Sequence, residues 1–433
     1  MITHAMLLLA LAAPSAPAVS RDLSVKVDNV LAHLQAFQAI ADANGGNRAA
    51  GLPGYAASAA YVANQLRAAG YTVQLQPFSF PFYRLLSPAV LEGKKRFAGV
   101  STLEYSGNGD VSAAPQEAGD GCEATDFAEF TAGRVAVVKR GTCTFVVKAG
   151  HAVDAGAKAL VVVDDKGTFE GTLQSPQPIP VVAVGPAVGE QVAKLKRVRV
   201  ATRVESEERI THNVIAQTRG TGRVVMAGAH LDSVQAGPGI NDNASGSAAL
   251  LELALRAAKA RPGLPLRFAW WGAEELGLLG SFHYVRGLGE EEKKNIKAYL
   301  NLDMIASPNP MYGIYDGDDS DKVGYGPGPK GSAKVEKAFE DYFTRKKLPY
   351  AGIDFGGRSD YGPFVLAGIA SGGLFTGANS DKSEEEARRF GGTAGEPMDR
   401  CYHQACDDVR NISEKALKIS TAAFVYAVDE LSS

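Results

Sequence analysis

No apolar run in this sequence is long enough to span a bilayer. Charge of either sign is nearly balanced, with 45 Lys and Arg against 48 Asp and Glu, a net of -3. That balance gives no reason to expect nucleic acid or an acidic membrane as partner. The four cysteines contain no Cys-x-x-Cys pair, so a structural zinc module is not indicated. Nor is there a Gly-x-Ser-x-Gly elbow or a His-Glu-x-x-His helix, which removes two common hydrolase templates. The Gly- and Pro-rich run 324–332 lacks both the lead-in strand and the lysine placement of a phosphate loop, and reads as a solvent loop.

What remains is an ordinary globular composition, 45% hydrophobic and 21% charged, over 433 residues. That length is more than one hydrophobic core accounts for, so two domains are expected. Residues 1–18 are apolar and then rich in Ala and Pro, although without Lys or Arg ahead of the apolar run. Ala16-Pro17-Ala18 fits a small-x-small cleavage site, so a signal peptide cut at Ala18/Val19 and a secreted or periplasmic destination are expected. In an exported chain an even cysteine count implies two disulfides. Three pairings are formally open, and the local ones, Cys122 with Cys143 and Cys401 with Cys406, are the most economical.

Helical apolar spacing covers residues 23–43, and a second helix is expected at about 54–69. A strand at about 71–80 follows, where Gln74 and Gln76 alternate with Val73 and Leu75. From about residue 82 to 204 the texture changes to short β-branched runs separated by Gly and Pro turns, with one helix near 146–155. This reads as a separate α+β insert. The cluster Lys194-Leu195-Lys196-Arg197-Val198-Arg199-Val200 nearly alternates, as a strand with one solvated face would. After Asn213, apolar strands at 224–229, 266–271 and 298–302 alternate with helices, the last at about 413–429 with Ser413 as N-cap. Alternation of this kind makes a mainly parallel sheet with helices on both faces. The expected division is therefore 19–81 and 205–433 for the main domain, with 82–204 inserted.

The chemistry stands at the ends of those strands. His230, Glu274, Glu275 and Asp303 each follow an apolar run, where open α/β sheets build their sites. Asp242 lies in Asn241-Asp242-Asn243, and His403 lies between Cys401 and Cys406. Buried charges need a partner, and a pair of divalent cations would serve all five ligands His230, Asp242, Glu275, Asp303 and His403. Two metals roughly 3.5–4 Å apart can share a hydroxide and clamp both oxygens of a reacting carbonyl. One would take His230 and Asp303, the other Glu275 and His403, with Asp242 bridging. Glu274 would then be free as general base. Asp232 would accept the other ring N–H of His230 and fix its tautomer, and Tyr402 would support the oxyanion. Singly, these signals have plain structural readings: Glu-Glu after a strand often only opens a helix, and His-x-Asp is usually a hydrogen-bonded pair.

At these residues the chain resembles the secreted bacterial di-zinc aminopeptidases, a group related to glutamate carboxypeptidases. The similarity rests on His230-Leu231-Asp232-Ser233, Gly239-Ile240-Asn241-Asp242-Asn243, Trp271-Gly272-Ala273-Glu274-Glu275, Asn301-Leu302-Asp303-Met304-Ile305 and Cys401-Tyr402-His403. Asn47-Arg48-Ala49-Ala50-Gly51 and Gly357-Arg358-Ser359-Asp360-Tyr361 add to it. The resemblance implies a three-layer α/β zinc exopeptidase fold, two zinc ions per chain on the ligands above, Glu274 as base and Tyr402 as oxyanion donor. It further implies that Glu274, Asp303 and the backbone near Arg358 hold a free α-amine, and that Ser371–Phe375 and the residues just after it shape the side-chain pocket. The insert is similar to a protease-associated domain, through Gly121-Cys122, Val135–Lys139 with Arg140-Gly141-Thr142-Cys143, and Ile179-Pro180-Val181-Val182. Such domains act as lids or substrate guides and carry no catalytic residue.

The leading expectation is thus an exported zinc aminopeptidase acting on the free N-terminus of peptides, with an apolar residue released. A carboxypeptidase of the same superfamily would need an arginine gripping the substrate carboxylate. A receptor-like binding protein on this fold would have lost ligands, whereas every ligand position here is filled. The oligomeric state is left open.

Overall fold

The computed structural model describes residues 22–260, 263–324 and 326–433. The expected leader and its cut lie outside the described residues. The chain forms two compact units, one made of residues up to Pro77 together with His212–Ser433, the other of Phe78–Thr211.

In the first unit the expected parallel sheet is present. Leu266–Trp271, Val224–His230, Ile296–Leu302 and Ser371–Phe375 lie side by side in that order, all parallel. The sheet is mixed at its margins. Val214 to Gln217 pair antiparallel with Arg267 to Trp270, and Gly313–Tyr315 runs antiparallel to Ser371–Phe375. Period-two alternation sends successive side chains to opposite faces, and the two tryptophans display it. Trp270 packs with Val225, Ala227, Ala229 and Leu300 against the helices Val27–Ala43, Pro53–Ala68, Ser245–Ala257, Ser332–Lys346 and Glu414–Ser432. Trp271 faces the other way, with Met226, Tyr299, Tyr284 and Phe364, toward the helices Leu279–Arg286 and Tyr361–Leu366. A sheet between two helical layers is the result. Gly228 makes room on the second face, since a Cβ there would lie 2.4 Å from the Tyr299 hydroxyl and 2.5 Å from the Trp271 indole nitrogen.

The second unit holds its own five-stranded sheet, ordered Val100–Thr102, Val181–Val184, Ala159–Val163, Val135–Lys139, Pro115–Glu117. All but the first of these strands are parallel. Ala136, Val138, Leu160 and Val162 fill one core and Val135, Val137, Ala159 and Val161 the other, again by alternation. The helix Phe145–Asp154 matches the sequence reading; a second helix, Pro186–Ala193, was not expected from it. Lys194 to Arg197 form the turn after that helix, so only the end of the basic cluster, from Val198, is strand. The strand expected to stop near Phe80 instead runs from Val73 to Glu92, through three prolines. Prolines are tolerated at a sheet margin, and this strand closes one end of the strand order. Both disulfides are the local ones, Cys122–Cys143 and Cys401–Cys406. No helix among the described residues is long and apolar enough to cross a membrane.

Candidate metal centre

Strand register brings the chain's chemistry to one edge. Trp271 pairs with His230, and Asn301 with Gly228, so Glu274, Glu275 and Asp303 all emerge beside the His230 strand end. The Asp242 loop opens the helix Ser245–Ala257. Its two flanking asparagines tie it to the segment carrying Asp303. The Asn243 amide donates to the Leu302 carbonyl and its oxygen accepts the Met304 N–H, while the Asn241 oxygen accepts the Ala306 N–H.

The six polar groups converge. His230 Nε2 lies 3.2 Å from Asp242 Oδ1, 3.3 Å from Asp303 Oδ1 and 3.9 Å from Glu274 Oε2. His403 Nε2 lies 3.2 Å from Asp242 Oδ2 and 3.0 Å from Glu275 Oε2. The two oxygens of Asp242 therefore face different imidazoles. Ligand atoms of His230, Asp242 and Glu275 fall within 4.8 Å of one another, as do those of His230, Glu274 and Asp303. Asp303 Oδ1 and Glu275 Oε1 are buried with no hydrogen-bond donor, although Asp303 Oδ2 accepts the Ser359 hydroxyl at 2.5 Å. Buried carboxylate oxygens in want of a positive partner, beside imidazole nitrogens, are the donor set that zinc takes.

Electrostatics agree with a cradle for cations. Burial holds the Glu274 carboxyl well above its usual range, with Asp303 and Asp360 adding to it against His230. Burial and Asp242 push Glu275 up to about 7. Burial opposes charge on both imidazoles, yet their carboxylates outweigh it: Glu274 and Asp303 hold His230 well above the ordinary value, and Asp242 and Glu275 push His403 up to about 10. Ala273, Met304 and His403 all have positive φ, at 55, 47 and 57°. Left-handed backbone costs a non-glycine residue on the order of 1–3 kcal/mol and clusters at functional sites. Here it occurs once in each of three segments that carry a site residue.

Two expected contacts take a different form. His230 Nδ1 lies 3.1 Å from the Asp232 carbonyl oxygen and 3.7 Å from its carboxylate. The carboxylate instead accepts the N–H groups of Glu274, at 3.2 Å, and Glu275, at 3.4 Å, and so fixes the turn presenting both glutamates. Arg358 is exposed, and its N–H is directed to the Tyr361 hydroxyl. Tyr402 is half-buried, its ring stacked on His403 at 3.8 Å. Burial, with Asp242 and Glu275, raises its phenol well above the ordinary value, so it stays a donor at neutral pH.

Residues 213–428 match the model of peptidase family M28, and residues 108–192 that of the PA domain. An aminopeptidase of Pseudomonas aeruginosa is 44% identical over 441 residues, covering 94% of this chain and 81% of the relative. The chain belongs to peptidase family M28. Leucine aminopeptidase 2 of Trichophyton tonsurans is 38% identical over 96% of this chain and 87% of its own. Among solved structures, a zinc aminopeptidase from Bacillus subtilis superposes with a TM-score of 0.67 at 27% identity, over 95% of this chain and 96% of that one. An aminopeptidase from Aneurinibacillus sp. strain AM-1 gives 0.68 at 26% identity, with 94% of each chain covered. This M28 peptidase is accordingly a metallo-exopeptidase, an aminopeptidase that acts on peptides and uses zinc, and its second unit contains the PA domain.

The sequence reading gave Arg48 no role of its own, and the structure does. It is fully buried and donates to the carbonyls of Leu231, Pro238 (2.8 Å) and Gly239 (2.7 Å). One guanidinium thus joins the loop leaving His230 to the loop entering Asp242. Gly239, at φ 62°, admits it: a Cβ there would lie 2.3 Å from the Asp242 carbonyl and 3.3 Å from Arg48 itself. The signal was a charged residue in an otherwise Ala- and Gly-rich stretch. Arg48→Met would take the donor from the buried carbonyls of Leu231 and Pro238, each costing about 1–3 kcal/mol, while the Gly239 carbonyl keeps the Ala244 N–H. We expect a loss of about 3 kcal/mol or more in urea unfolding; a loss below about 1 kcal/mol would contradict the strap.

Proposed function

We propose that this M28 aminopeptidase is exported, binds two zinc ions per chain and releases apolar N-terminal residues from peptides. The observation that carries the two-ion reading is the split carboxylate of Asp242, one oxygen toward His230 and the other toward His403. His230, Asp303 and Asp242 would hold one ion, and His403, Glu275 and Asp242 the other. Zinc, when bound, supplies a Lewis acid and brings the pKa of water down to about 7. The expected division of the chain, a main domain over 19–81 and 205–433 with an insert at 82–204, belongs to the same proposal, as does the leader over 1–18. The leucine aminopeptidase name of the fungal relatives supports an apolar preference.

The protein's own groups then do the rest. Glu274 is buried beside the cradle, where burial, with Asp303 and Asp360, holds its carboxyl well above the usual range although His230 opposes the shift. Cations in the cradle would favour its ionised form, as opposite charges do. Ionised, it takes a proton from the attacking water and hands it to the leaving amine. Asp232 holds the turn that aims Glu274 and Glu275 apart. Tyr402 donates its O–H to the oxygen of the reacting carbonyl. Glu274 and Asp303, with the segment at Arg358, form the acidic seat that a free ammonium needs.

Leucine p-nitroanilide tests the reading directly. The zinc-loaded enzyme should cleave it and leave N-acetyl-leucine p-nitroanilide intact; equal cleavage of both would refute recognition of a free amine. Glu274→Gln should retain both ions while its kcat falls about 10²–10⁴-fold. An active variant would remove Glu274 from the role of base.

Zinc binding should also depend on pH. In the metal-free protein the surrounding carboxylates raise both imidazoles above their ordinary value, which favours their protonated forms, and burial with Asp242 pushes Glu275 up to about 7. Ions must displace those protons, so affinity should fall between pH 8 and pH 6. Calorimetry in buffers of different ionisation enthalpy should register more than one proton released per chain at pH 7. Affinity that rises on acidification would contradict this.

A further inference from the structure

Both ends of the loop carrying His403 are fastened to the segment carrying Asp242, and one carboxylate makes most of the attachment. Asp407 directly follows the Cys401–Cys406 disulfide and is 1% exposed. Its Oδ1 accepts the Asn241 N–H at 2.8 Å and its Oδ2 the Asp242 N–H at 3.0 Å, while its carbonyl accepts the Ile240 N–H at 3.0 Å. Three successive N–H groups thus end on one residue. Asp407's own N–H returns to the Gln404 carbonyl, inside the disulfide loop. At the loop's other end Asp399 accepts the Cys401 N–H at 2.8 Å and the Asn241 amide at 2.7 Å. The Asn411 amide joins the two acids, at 2.9 Å from Asp399 and 3.1 Å from Asp407. Backbone meets backbone here, because a Cβ on Gly237 would lie 2.2 Å from the Gln404 carbonyl.

The geometry points to Asp407 as a positioning residue that keeps Asp242 and His403 in register and so sets the affinity of the ion between them. This rests on the two-ion reading above. Asp407 makes no hydrogen bond to either imidazole or to Glu275; it acts only through the backbone of residues 240–242. Those N–H donors need an acceptor on each oxygen, which a carboxylate offers and a carboxamide does not, since its NH₂ group is a donor. A carboxamide would turn that group toward an N–H, most damagingly at Asp242, whose Oδ2 must stay within 3.2 Å of His403 Nε2. The other position, at His230 and Asp303, has its own supports: Ser359 on Asp303 and the Asp232 carbonyl on His230.

The test is zinc titration of the metal-stripped full chain, in wild type and in Asp407→Asn. His403→Ala, which removes a ligand of the ion in question, marks which binding step belongs to it. We expect two steps in wild type. In Asp407→Asn the marked step should weaken about 10- to 100-fold, the range for partners that orient a ligand, and the other should stay within about twofold. Excess zinc should restore kcat on leucine p-nitroanilide with KM unchanged. Two steps in wild type with both unchanged in the variant overturn this inference alone, as do two steps weakened equally without rescue by zinc, the mark of a merely structural residue. A single step in wild type overturns the two-ion reading and this inference with it. Should Asp407→Asn not fold, Asn411→Ala decides. It withdraws one of the donors that fix Asp407, and the marked step should weaken several-fold; an unaltered step overturns the proposal.

Discussion

Buried negative charge is the condition that the rest of this molecule satisfies. Asp232, Asp242, Glu274, Asp303, Asp360, Asp399 and Asp407 are all buried, with Glu275 close behind them, and the fully buried cation near them is Arg48. A carboxylate taken out of water without a partner is among the costliest groups a protein can hold. Backbone N–H groups offset part of that cost at Asp232, Asp399 and Asp407, where they donate to the carboxylates. At Asp303 and Glu275 they do not, and one oxygen of each is left without a donor. The proposed zinc ions are the positive charge that completes the account, and the fold can be read as the apparatus that brings their ligands together.

That apparatus is simple in outline. Parallel strands end on one edge, and their register sets His230, at the end of its strand, beside Glu274, Glu275 and Asp303, which lie just past the ends of theirs. Two further ligands come from loops and need more support. Asp242 is held by its asparagine neighbours, by Arg48 through Gly239, and by Asp407. His403 sits on a short loop closed by a disulfide, in a left-handed backbone conformation. The heavily cross-linked segments are the ones whose position no strand dictates.

This division also explains what was legible in the sequence. The strand-borne residues announced themselves because each follows an apolar run, and a charge at such a point stands out against its surroundings. His403 was visible through its flanking cysteines. Arg48, Asp399, Asp407 and Asn411 carry no comparable mark. They lie in short stretches without periodicity; the contacts of Arg48, Asp399 and Asp407 with the loops around His230 and Asp242 span 158 to 191 residues, and Asn411 bonds within its own irregular loop. The full length of one strand was not legible either: expected to stop near residue 80, it runs on to Glu92 through Pro81 and Pro88. The side-chain–backbone exchange at Asp232 was also out of reach, because two oxygens of the same residue compete for His230 and only coordinates separate them.

The second unit has a hydrophobic core on each face of its sheet and contains the PA domain, with none of the proposed ligands in it. The weight of the account falls on one carboxylate in the first unit. Anomalous diffraction at the zinc edge, from crystals of the zinc-loaded full chain, tests that most directly. The account predicts two peaks, one on each side of the Asp242 carboxylate. One peak alone, or two that leave Asp242 uncoordinated, would contradict it.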